Sequence, residues 1–243
     1  MGPTFRILTV LLLALSWHSV HAQRFSIESP LLKTTTSVVI EPIGNVTAAT
    51  SVYYLTDGAK LLDAGYLERL KALHGAGKIP AAYYVFVGTV DETDGIDQRN
   101  RYFFCNPDYL SFFEKEVLPR VEKTIGKTLE PTQRGLIGIS FGGLNAAWFA
   151  AKSEAFTQYA LLSPVTYPCN ELGAAISFST NTALNIYIST GTNDAETYAE
   201  PLRRLFEGKG YRVHFEKTKG GHDFENWAGQ LETLFRFFRV GHP

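Results

Sequence analysis

The chain has 243 residues, of which 45% are hydrophobic and 13% are aromatic, enough apolar material for one large globular domain with a substantial core. Its 23 basic and 24 acidic residues give a formal net charge of -1, so the composition favours neither nucleic acid nor an anionic membrane surface as a partner. No Pro/Ser-rich linker, charge block or internal repeat divides the sequence, and a single domain is expected.

The N-terminus has the pattern of a cleaved secretory signal. Arg6 precedes an apolar stretch at residues 7–17. Val20, His21 and Ala22 then form a predicted cleavage site, with the small side chains of Val20 and Ala22 at its two critical positions. The stretch is shorter than the roughly 20 residues needed to span a bilayer. We therefore expect a signal peptide at residues 1–22, a mature domain at 23–243, a periplasmic or secreted location and no stable membrane insertion after cleavage. An uncleaved anchor is the alternative.

Short apolar runs alternate with stretches of helical period along the rest of the chain. Strands are predicted at residues 37–43, 52–55, 81–87, 134–139, 159–162, 184–189 and 212–216, and helices at 66–73, 108–124, 141–152, 198–207 and 224–238. This alternation predicts an α/β fold with a mostly parallel central sheet covered by helices on both faces.

Two segments raise a choice between structure and function. Residues 88–107 form a long irregular stretch after a predicted strand, which places it at the carboxyl edge of the sheet, where ligands bind in such folds. The last predicted helix carries an apolar stripe that we assign to the core, with membrane binding as the alternative. Its members are Trp227, Leu231, Leu234, Phe235 and Phe238.

Two cysteines, Cys105 and Cys169, remain in the predicted exported chain. An even cysteine count in an oxidising compartment favours a disulfide over two free thiols. No CxxC pair or His/Cys cluster suggests a metal site, and no cofactor is expected.

The stretch "GLIGISFGGLNAAWF" carries the main indication of chemistry. Gly138, Ser140 and Gly142 form a G-x-S-x-G sequence between an apolar strand and an alanine-rich helix. In that context the motif predicts a nucleophile elbow, in which a strained turn presents the serine and side chains at the glycine positions would collide. Ser140 is therefore the predicted nucleophile.

A serine hydroxyl needs a base within hydrogen-bonding distance. His222 lies in the glycine-bounded loop "KGGHDFENW", after a strand and before the last helix, late in the chain as the order Ser, acid, His requires. His18 and His21 belong to the predicted signal, and His242 to the terminal tail. His74 and His214 have positions that favour structural roles. The expected base is His222, although a loop histidine there could instead cap the helix.

The acid should follow a strand between these two residues. "TGTNDAETY" follows residues 184–189 and offers Asp194 first and Glu196 second. Asp194 is the predicted acid, with N-capping as its alternative role. Glu196 is held in reserve, and Asp223, adjacent to the base, is expected to point away from it.

Acyl transfer also requires donors for the developing oxyanion. The backbone N–H of Phe141, directly after the nucleophile, is one expected donor. The second should come from the loop "TDGA" after an earlier strand, through Ala59 or Gly58. An ordinary Asp-Gly turn is the alternative for that loop.

Together these segments resemble the esterase family that includes exported enterochelin-esterase-like proteins, esterase D, feruloyl esterases and mycolyltransferases. The resemblance rests on "FSIESPLL", "YYLTDG", "DQRNRYF", "LSFFEKEVLPRVEKTIG", "GISFGGLNAAW" and "GGHDFENW". It implies an α/β-hydrolase fold and a Ser140, His222 and Asp194 triad with Ala59 and Phe141 at the oxyanion hole. No large lid domain is expected, because the residues that follow the predicted signal are enough only for the sheet and its helices. It also matches Arg99 to an arginine that could meet an anionic substrate; a surface arginine is the alternative.

The subgroup most resembled hydrolyses the ester backbone of catecholate siderophores, so the expected partner is a small-molecule ester, with a ferric siderophore as the leading candidate. Phe224 stands where a tryptophan often follows "GGHD", and some exported relatives work with a Ser-His dyad. Feruloyl or acetyl esterase activity, acyl transfer and peptidase activity on the same fold remain alternatives. A catalytically silent binding protein is the alternative from a different class.

Overall fold

The computed structural model describes residues 21–194 and 196–240. Within them, eight strands form one sheet. The strands are β1 (Gln23–Ser29), β2 (Thr34–Ile43), β3 (Val52–Leu55), β4 (Ala82–Asp91), β5 (Arg134–Ile139), β6 (Gln158–Leu162), β7 (Asn185–Asn193) and β8 (Arg212–Gly221). Residues 1–20 of the predicted signal peptide lie outside the described part of the chain.

The sheet has the strand order β1-β2-β4-β3-β5-β6-β7-β8. β1 pairs with β2 and β2 with β4 in antiparallel register, and every other neighbouring pair is parallel. The carboxyl ends of β3, β5, β6, β7 and β8 therefore meet at one edge. Loops leaving that edge are where an open α/β sheet collects a site.

Helices connect the parallel strands and cover both faces of the sheet. They are α1 (Gly58–Asp63), α2 (Tyr66–Gly75), α3 (Arg99–Phe103), α4 (Pro107–Phe112), α5 (Leu118–Ile125), α6 (Phe141–Lys152), α7 (Leu172–Ser177), α8 (Glu196–Gly208) and α9 (Phe224–Val240). A π-helical turn, Phe113–Val117, joins α4 to α5 without a break. A short 3-10 turn, Pro131–Gln133, precedes β5.

Alternate residues of the central strands supply two separate cores. On β3, Tyr53 and Leu55 pack with α1, α2 and α9 on one face. Val52 and Tyr54 face the opposite side, where α4, α6 and α8 cover the sheet. Because both sides of β3, β5 and β6 are covered, these strands are almost completely buried and mostly apolar, as a doubly covered sheet requires.

The structure confirms the predicted α/β class and each predicted strand and helix, with shifts at the ends. The bounds 52–55, 134–139 and 141–152 agree with β3, β5 and α6. The strand β1 and the helices α1, α3 and α7 are additions. These elements have only five to seven residues, so they carry too few apolar repeats to show a period.

The prediction of an irregular stretch at residues 88–107 is wrong for much of its length. β4 continues to Asp91 because that part of the strand pairs with β2. An isolated bridge between Val90 and Asp97 then closes a tight turn, and α3 occupies residues 99–103. The segment is therefore mostly ordered backbone, held at the carboxyl edge of the sheet.

Candidate active site

Ser140 lies at the sharp turn between β5 and α6. Its backbone has φ 59° and ψ -117°, a conformation that is strained for a residue with a side chain. A Cβ on Gly138 would lie 1.9 Å from the carbonyl oxygen of Gly142, and one on Gly142 would lie 2.7 Å from Thr56 Oγ1. Gly138 is thus required by a backbone contact and Gly142 by a side-chain contact, and both positions fit the elbow motif.

The structure brings Ser140, His222 and Asp194 into one hydrogen-bonded chain. His222 Nε2 is 2.9 Å from Ser140 Oγ, and His222 Nδ1 is 2.7 Å from Asp194 Oδ1. A carboxylate can only accept, so the imidazole proton lies on Nδ1 and Nε2 is left to accept from the serine. This is the arrangement by which a base removes a proton from a serine nucleophile.

The acid is almost completely enclosed, whereas the base opens to solvent. The Asp194 side chain is 1% exposed and that of His222 is 39% exposed. Asp194 follows β7, and its Oδ2 atom accepts hydrogen bonds from the Ser163 hydroxyl and, at 3.3 Å, from the Gly191 N–H. Each carboxylate oxygen therefore has a donor, which is what a buried charge requires.

The two other candidate acids lie elsewhere. Glu196 begins α8, and its carboxylate pairs with Lys217 Nζ at 2.5 Å on the protein surface. Asp223 caps α9 by accepting from the Asn226 N–H at 2.9 Å. Neither carboxylate pairs with His222 among the contacts of the described residues, so the geometry selects Asp194.

Two other histidines, His74 and His214, have positions that fit structural roles. His74 Nδ1 is 3.2 Å from the carbonyl oxygen of Ile79 at the end of α2. The ring of His214 stacks on Tyr187 with 5.3 Å between centroids. His18 and His242 lie outside the described residues.

Phe141 and Ala59 lie in the first turns of the two helices next to the nucleophile. Phe141 is the first residue of α6, and Ala59 is the second residue of α1. Because α1 starts at Gly58, the predicted "TDGA" loop is largely a helix start. N–H groups in a first helical turn have no partner within the helix and can serve an oxyanion.

The start of α1 is fixed by a close approach to the sheet. A Cβ on Gly58 would lie 2.6 Å from the carbonyl carbon of Phe86, in β4. Asp57, the N-cap residue, takes a left-handed conformation with φ 59°. Only a glycine at position 58 allows the first turn of α1 to sit this near the strand.

Arg99 is neither a free surface side chain nor an isolated cation in the cavity. Its side chain is 17% exposed, and its Nε atom donates to both carboxylate oxygens of Asp57, at 2.7 and 2.8 Å. Its Nη2 atom donates to the carbonyl oxygen of Ile139 at 3.2 Å, and its guanidinium lies 5.2 Å from the Phe141 ring centroid. Burial raises the pKa of Asp57, and the neighbouring charge of Arg99 opposes that effect.

A cavity of about 380 Å³ opens beside Ser140. Its wall combines apolar, aromatic and charged side chains: Asp57, Lys60, Leu61, Arg99, Ile139, Ser140, His222, Asp223, Phe224 and Trp227. The sequence assigns Trp227 only to the core and gives no role to Lys60 or Leu61. Helical period identified Trp227 as buried, and its place at the site depends on how α9 crosses the sheet.

The predicted disulfide is present between Cys105 and Cys169, whose Cα atoms are 5.9 Å apart. It joins the segment after α3 to the segment after β6, both at the carboxyl edge of the sheet. Glu171 lies close enough to complete a possible set of metal ligands with the two sulfur atoms. Both sulfurs are used in the bond, so this cluster is not assigned to a metal. Over the described ranges, no helix is long and apolar enough to cross a membrane.

The sequence matches the model of the Esterase family, described as "Putative esterase", over residues 29–238. A comparison with curated proteins finds no match. Among solved structures, the enterobactin esterase of Shigella flexneri, crystallised in the presence of enterobactin, is similar with a TM-score of 0.79 and 23% identity. The alignment covers 91% of this chain and 60% of that one, so the chain spans about 60% of the length of the Shigella enzyme.

Two other solved structures match along nearly their whole length. A ferulic acid esterase has a TM-score of 0.73 and 17% identity, covering 91% of this chain and 98% of its own. An enterobactin and salmochelin hydrolase has a TM-score of 0.67 and 18% identity, covering 92% and 96%. At identities of 17–23%, the similarity to these structures shows a shared fold alone. The family match extends over most of the sequence, and the chain therefore belongs to this esterase family, with the fold of the α/β-hydrolases.

Proposed function

We propose that the chain is an exported serine carboxylesterase that works through an acyl-enzyme on Ser140. The observation that carries the proposal is the unbroken hydrogen-bonded chain from Ser140 through His222 to Asp194 at the mouth of a cavity. A protein that had become a silent binding module would not need this alignment. In such a module the strained backbone of Ser140 would destabilise the fold without any benefit.

In the proposed reaction, Ser140 Oγ attacks the ester carbonyl while His222 Nε2 accepts its proton. Asp194 holds the Nδ1 proton and stabilises the imidazolium as it forms. The N–H groups of Phe141 and Ala59 donate to the oxyanion of the tetrahedral intermediate. His222 then gives its proton to the leaving alcohol, and a water molecule repeats the sequence to release the acid and restore Ser140.

For the substrate, we propose the ester backbone of a catecholate siderophore. The resemblance of the motifs supports this class, as does the fold shared with enzymes described as enterobactin esterases. The cavity also offers suitable chemistry, because Phe224 and Trp227 are aromatic and can pack against a catechol ring. Its two cations, Lys60 and Arg99, are already paired with Asp97 and Asp57. His222 is open to solvent, which leaves room for the bulk of such a molecule.

Export is proposed from the N-terminal pattern and the disulfide. β1 begins at Gln23, directly after the predicted cleavage site, so the sheet uses no residue of the signal. The Cys105–Cys169 bond fits an oxidising compartment. Expression with the full N-terminus in a bacterial host, followed by intact-mass analysis of the periplasmic fraction, should find a chain that starts at Gln23. Accumulation of the uncleaved chain in the cytoplasm would contradict export.

The experiment that tests the substrate is a competition in one mixture, followed over time by LC-MS. The mixture contains ferric enterochelin, iron-free enterochelin, methyl ferulate and an aryl acetate, with Ser140→Ala as the matched control. Faster loss of either enterochelin form is the expected result, and Ser140→Ala should retain less than about a thousandth of the activity. Preferential loss of methyl ferulate would favour a feruloyl esterase. Cleavage of the aryl acetate alone would overturn the siderophore assignment while keeping the serine esterase.

A further inference from the structure

Ser163 is a buried serine outside the predicted triad, directly after β6. Its φ of 47° lies in the left-handed region, which is unusual for a residue with a side chain, and its exposure is 0%. Its backbone N–H donates to the carbonyl oxygen of Ser189 at 2.8 Å, which joins the end of β6 to the middle of β7. Strain of this kind persists only where the surroundings enforce it, and it is often associated with function.

The hydrogen bonds of Ser163 define the direction of its hydroxyl proton. Trp227 Nε1 lies 2.7 Å from Ser163 Oγ, and an indole N–H can only donate. Ser163 Oγ must therefore accept from Trp227. Its own proton is directed to Oδ2 of Asp194, because an ionised carboxylate can only accept.

Trp227 contacts the predicted base as well. Its ring meets that of His222 edge to face, with 4.9 Å between centroids, and its side chain is buried at the wall of the cavity. Trp227 therefore packs against the base, His222. It also orients the hydroxyl of Ser163, which donates to the acid, Asp194. The bonded chain runs from Trp227 through Ser163, Asp194 and His222 to Ser140.

We propose that Ser163 and Trp227 are positioning residues that hold Asp194 in the orientation required by His222. The proposal rests on the proposed esterase function, since it deepens the role of the same site. Without the Ser163 hydroxyl, Oδ2 loses the donor that Trp227 orients. The enclosed carboxylate is then less firmly held, and any rotation of it moves Oδ1 relative to His222 Nδ1.

The test compares Ser163→Ala with Ser153→Ala. Ser153 is a matched control, because it is 1% exposed and donates to Glu114 Oε1 at 2.6 Å away from the site. Ser163→Ala should lower kcat at least about tenfold, the value of one charge-assisted hydrogen bond, with KM unchanged. Ser153→Ala should keep kcat within about twofold of wild type. Ser163→Gly, which accommodates the positive φ, gives the same readout if the alanine variant folds poorly.

Substitutions at two tryptophans, Trp227 and Trp148, give a second and independent test. Trp227→Phe keeps a ring beside His222 but removes the N–H donor, and Trp148→Phe is the control at another buried tryptophan. Trp227→Phe should lower kcat by less than Ser163→Ala does. The double variant Ser163→Ala/Trp227→Phe should be no slower than Ser163→Ala alone, because both changes act through one hydrogen bond. Additive losses would overturn the proposal.

A proton NMR measurement separates this proposal from the proposed function. The Nδ1 proton of His222, bonded to Asp194, should resonate at low field in wild type and in Ser153→Ala. It should move upfield or broaden in Ser163→Ala. An unchanged resonance together with an unchanged kcat would overturn the positioning role. If wild type cleaves no ester at all, the proposed function fails, and the resonance alone still decides whether Ser163 positions Asp194.

Discussion

Arg99 donates from Nε to both carboxylate oxygens of Asp57, across 42 positions of sequence. Asp57 is the N-cap residue of the helix that carries Ala59, and the Arg99 guanidinium also donates to the carbonyl oxygen of Ile139, next to the nucleophile. The pair therefore ties together the two backbone segments proposed to supply the oxyanion donors.

The Arg99 and Asp57 pair should contribute much more to stability than a surface ion pair of similar length. Arg99→Met should lower the free energy of unfolding by about 3 kcal/mol, because it leaves a buried carboxylate without its partner. Adding Asp57→Asn to the Arg99→Met variant should recover part of this loss, since no unpaired charge then remains buried. Urea denaturation measures both values.

The exposed ion pair of Lys78 with Glu232 provides a matched control for Arg99→Met. This 2.8 Å pair is remote from the cavity, so Lys78→Met should change stability by less than about 1 kcal/mol. Equal effects of Arg99→Met and Lys78→Met would show that the buried pair has no special role.

Asp194 and Glu196 offer a test of which carboxylate serves the base. Asp194→Asn should lower kcat by about a thousandfold or more, because the amide no longer fixes the Nδ1 proton of His222. Glu196→Gln removes only the surface pair with Lys217 and should leave kcat close to wild type. Steady-state kinetics on one ester substrate compares the two. Small and equal effects would indicate a Ser-His dyad instead.

The sequence predicts the triad because each member has a local signal. Ser140 lies in a glycine-bounded turn between a strand and a helix, and His222 and Asp194 each follow a predicted strand. Parallel strands end at one edge, so residues that follow them converge without any knowledge of long-range contacts. The same reasoning recovers the α/β class and most of the elements.

The supporting residues have no such signal. Ser163 follows β6 in the plain stretch "LLSPV", and its bond to Trp227 spans 64 positions. The pairing of Arg99 with Asp57 depends on how far β4 extends before α3 begins, and β4 ends four residues after its predicted end at residue 87. These contacts are set by the packing of helices on the sheet, which the pattern of a single sequence does not contain.

The disulfide should stabilise the mature chain substantially. Cys105 and Cys169 are separated by 64 positions, and closing a loop of that length contributes about 4 kcal/mol in the chain-entropy description. Replacing both cysteines with serine should lower Tm by on the order of 10 °C for a domain of this size. Thermal unfolding followed by circular dichroism measures the shift. Two thiols titrating in the untreated, denatured wild type would contradict the bond.

Asp91 should make stability fall in acid. Backbone N–H groups of Thr93 and Thr35 donate to Oδ1 at 3.0 Å each and hold the pKa of Asp91 below its ordinary value of 3.8. The unfolded chain then binds the proton more readily than the folded chain. The stabilisation is present above pH 3.8 and is lost as pH falls through the folded pKa.

The comparison of wild type with Asp91→Asn tests that sign. The variant should have the lower Tm at pH 7, and the difference should shrink as pH falls below 3.8. Asp63→Asn, at an exposed position, gives the baseline for removing one negative charge. A difference between wild type and Asp91→Asn that stays constant down to acid pH would refute the assignment.

The most direct test of the account is covalent labelling with a fluorophosphonate probe, read by intact mass and peptide mapping. Wild type should gain a single adduct on the peptide that contains Ser140, His222→Ala should label at least about a thousandfold more slowly, and Ser140→Ala should stay unlabelled. A folded wild type that takes up no probe, or a Ser140→Ala variant labelled as fast as wild type, would contradict the assignment of Ser140 as the nucleophile.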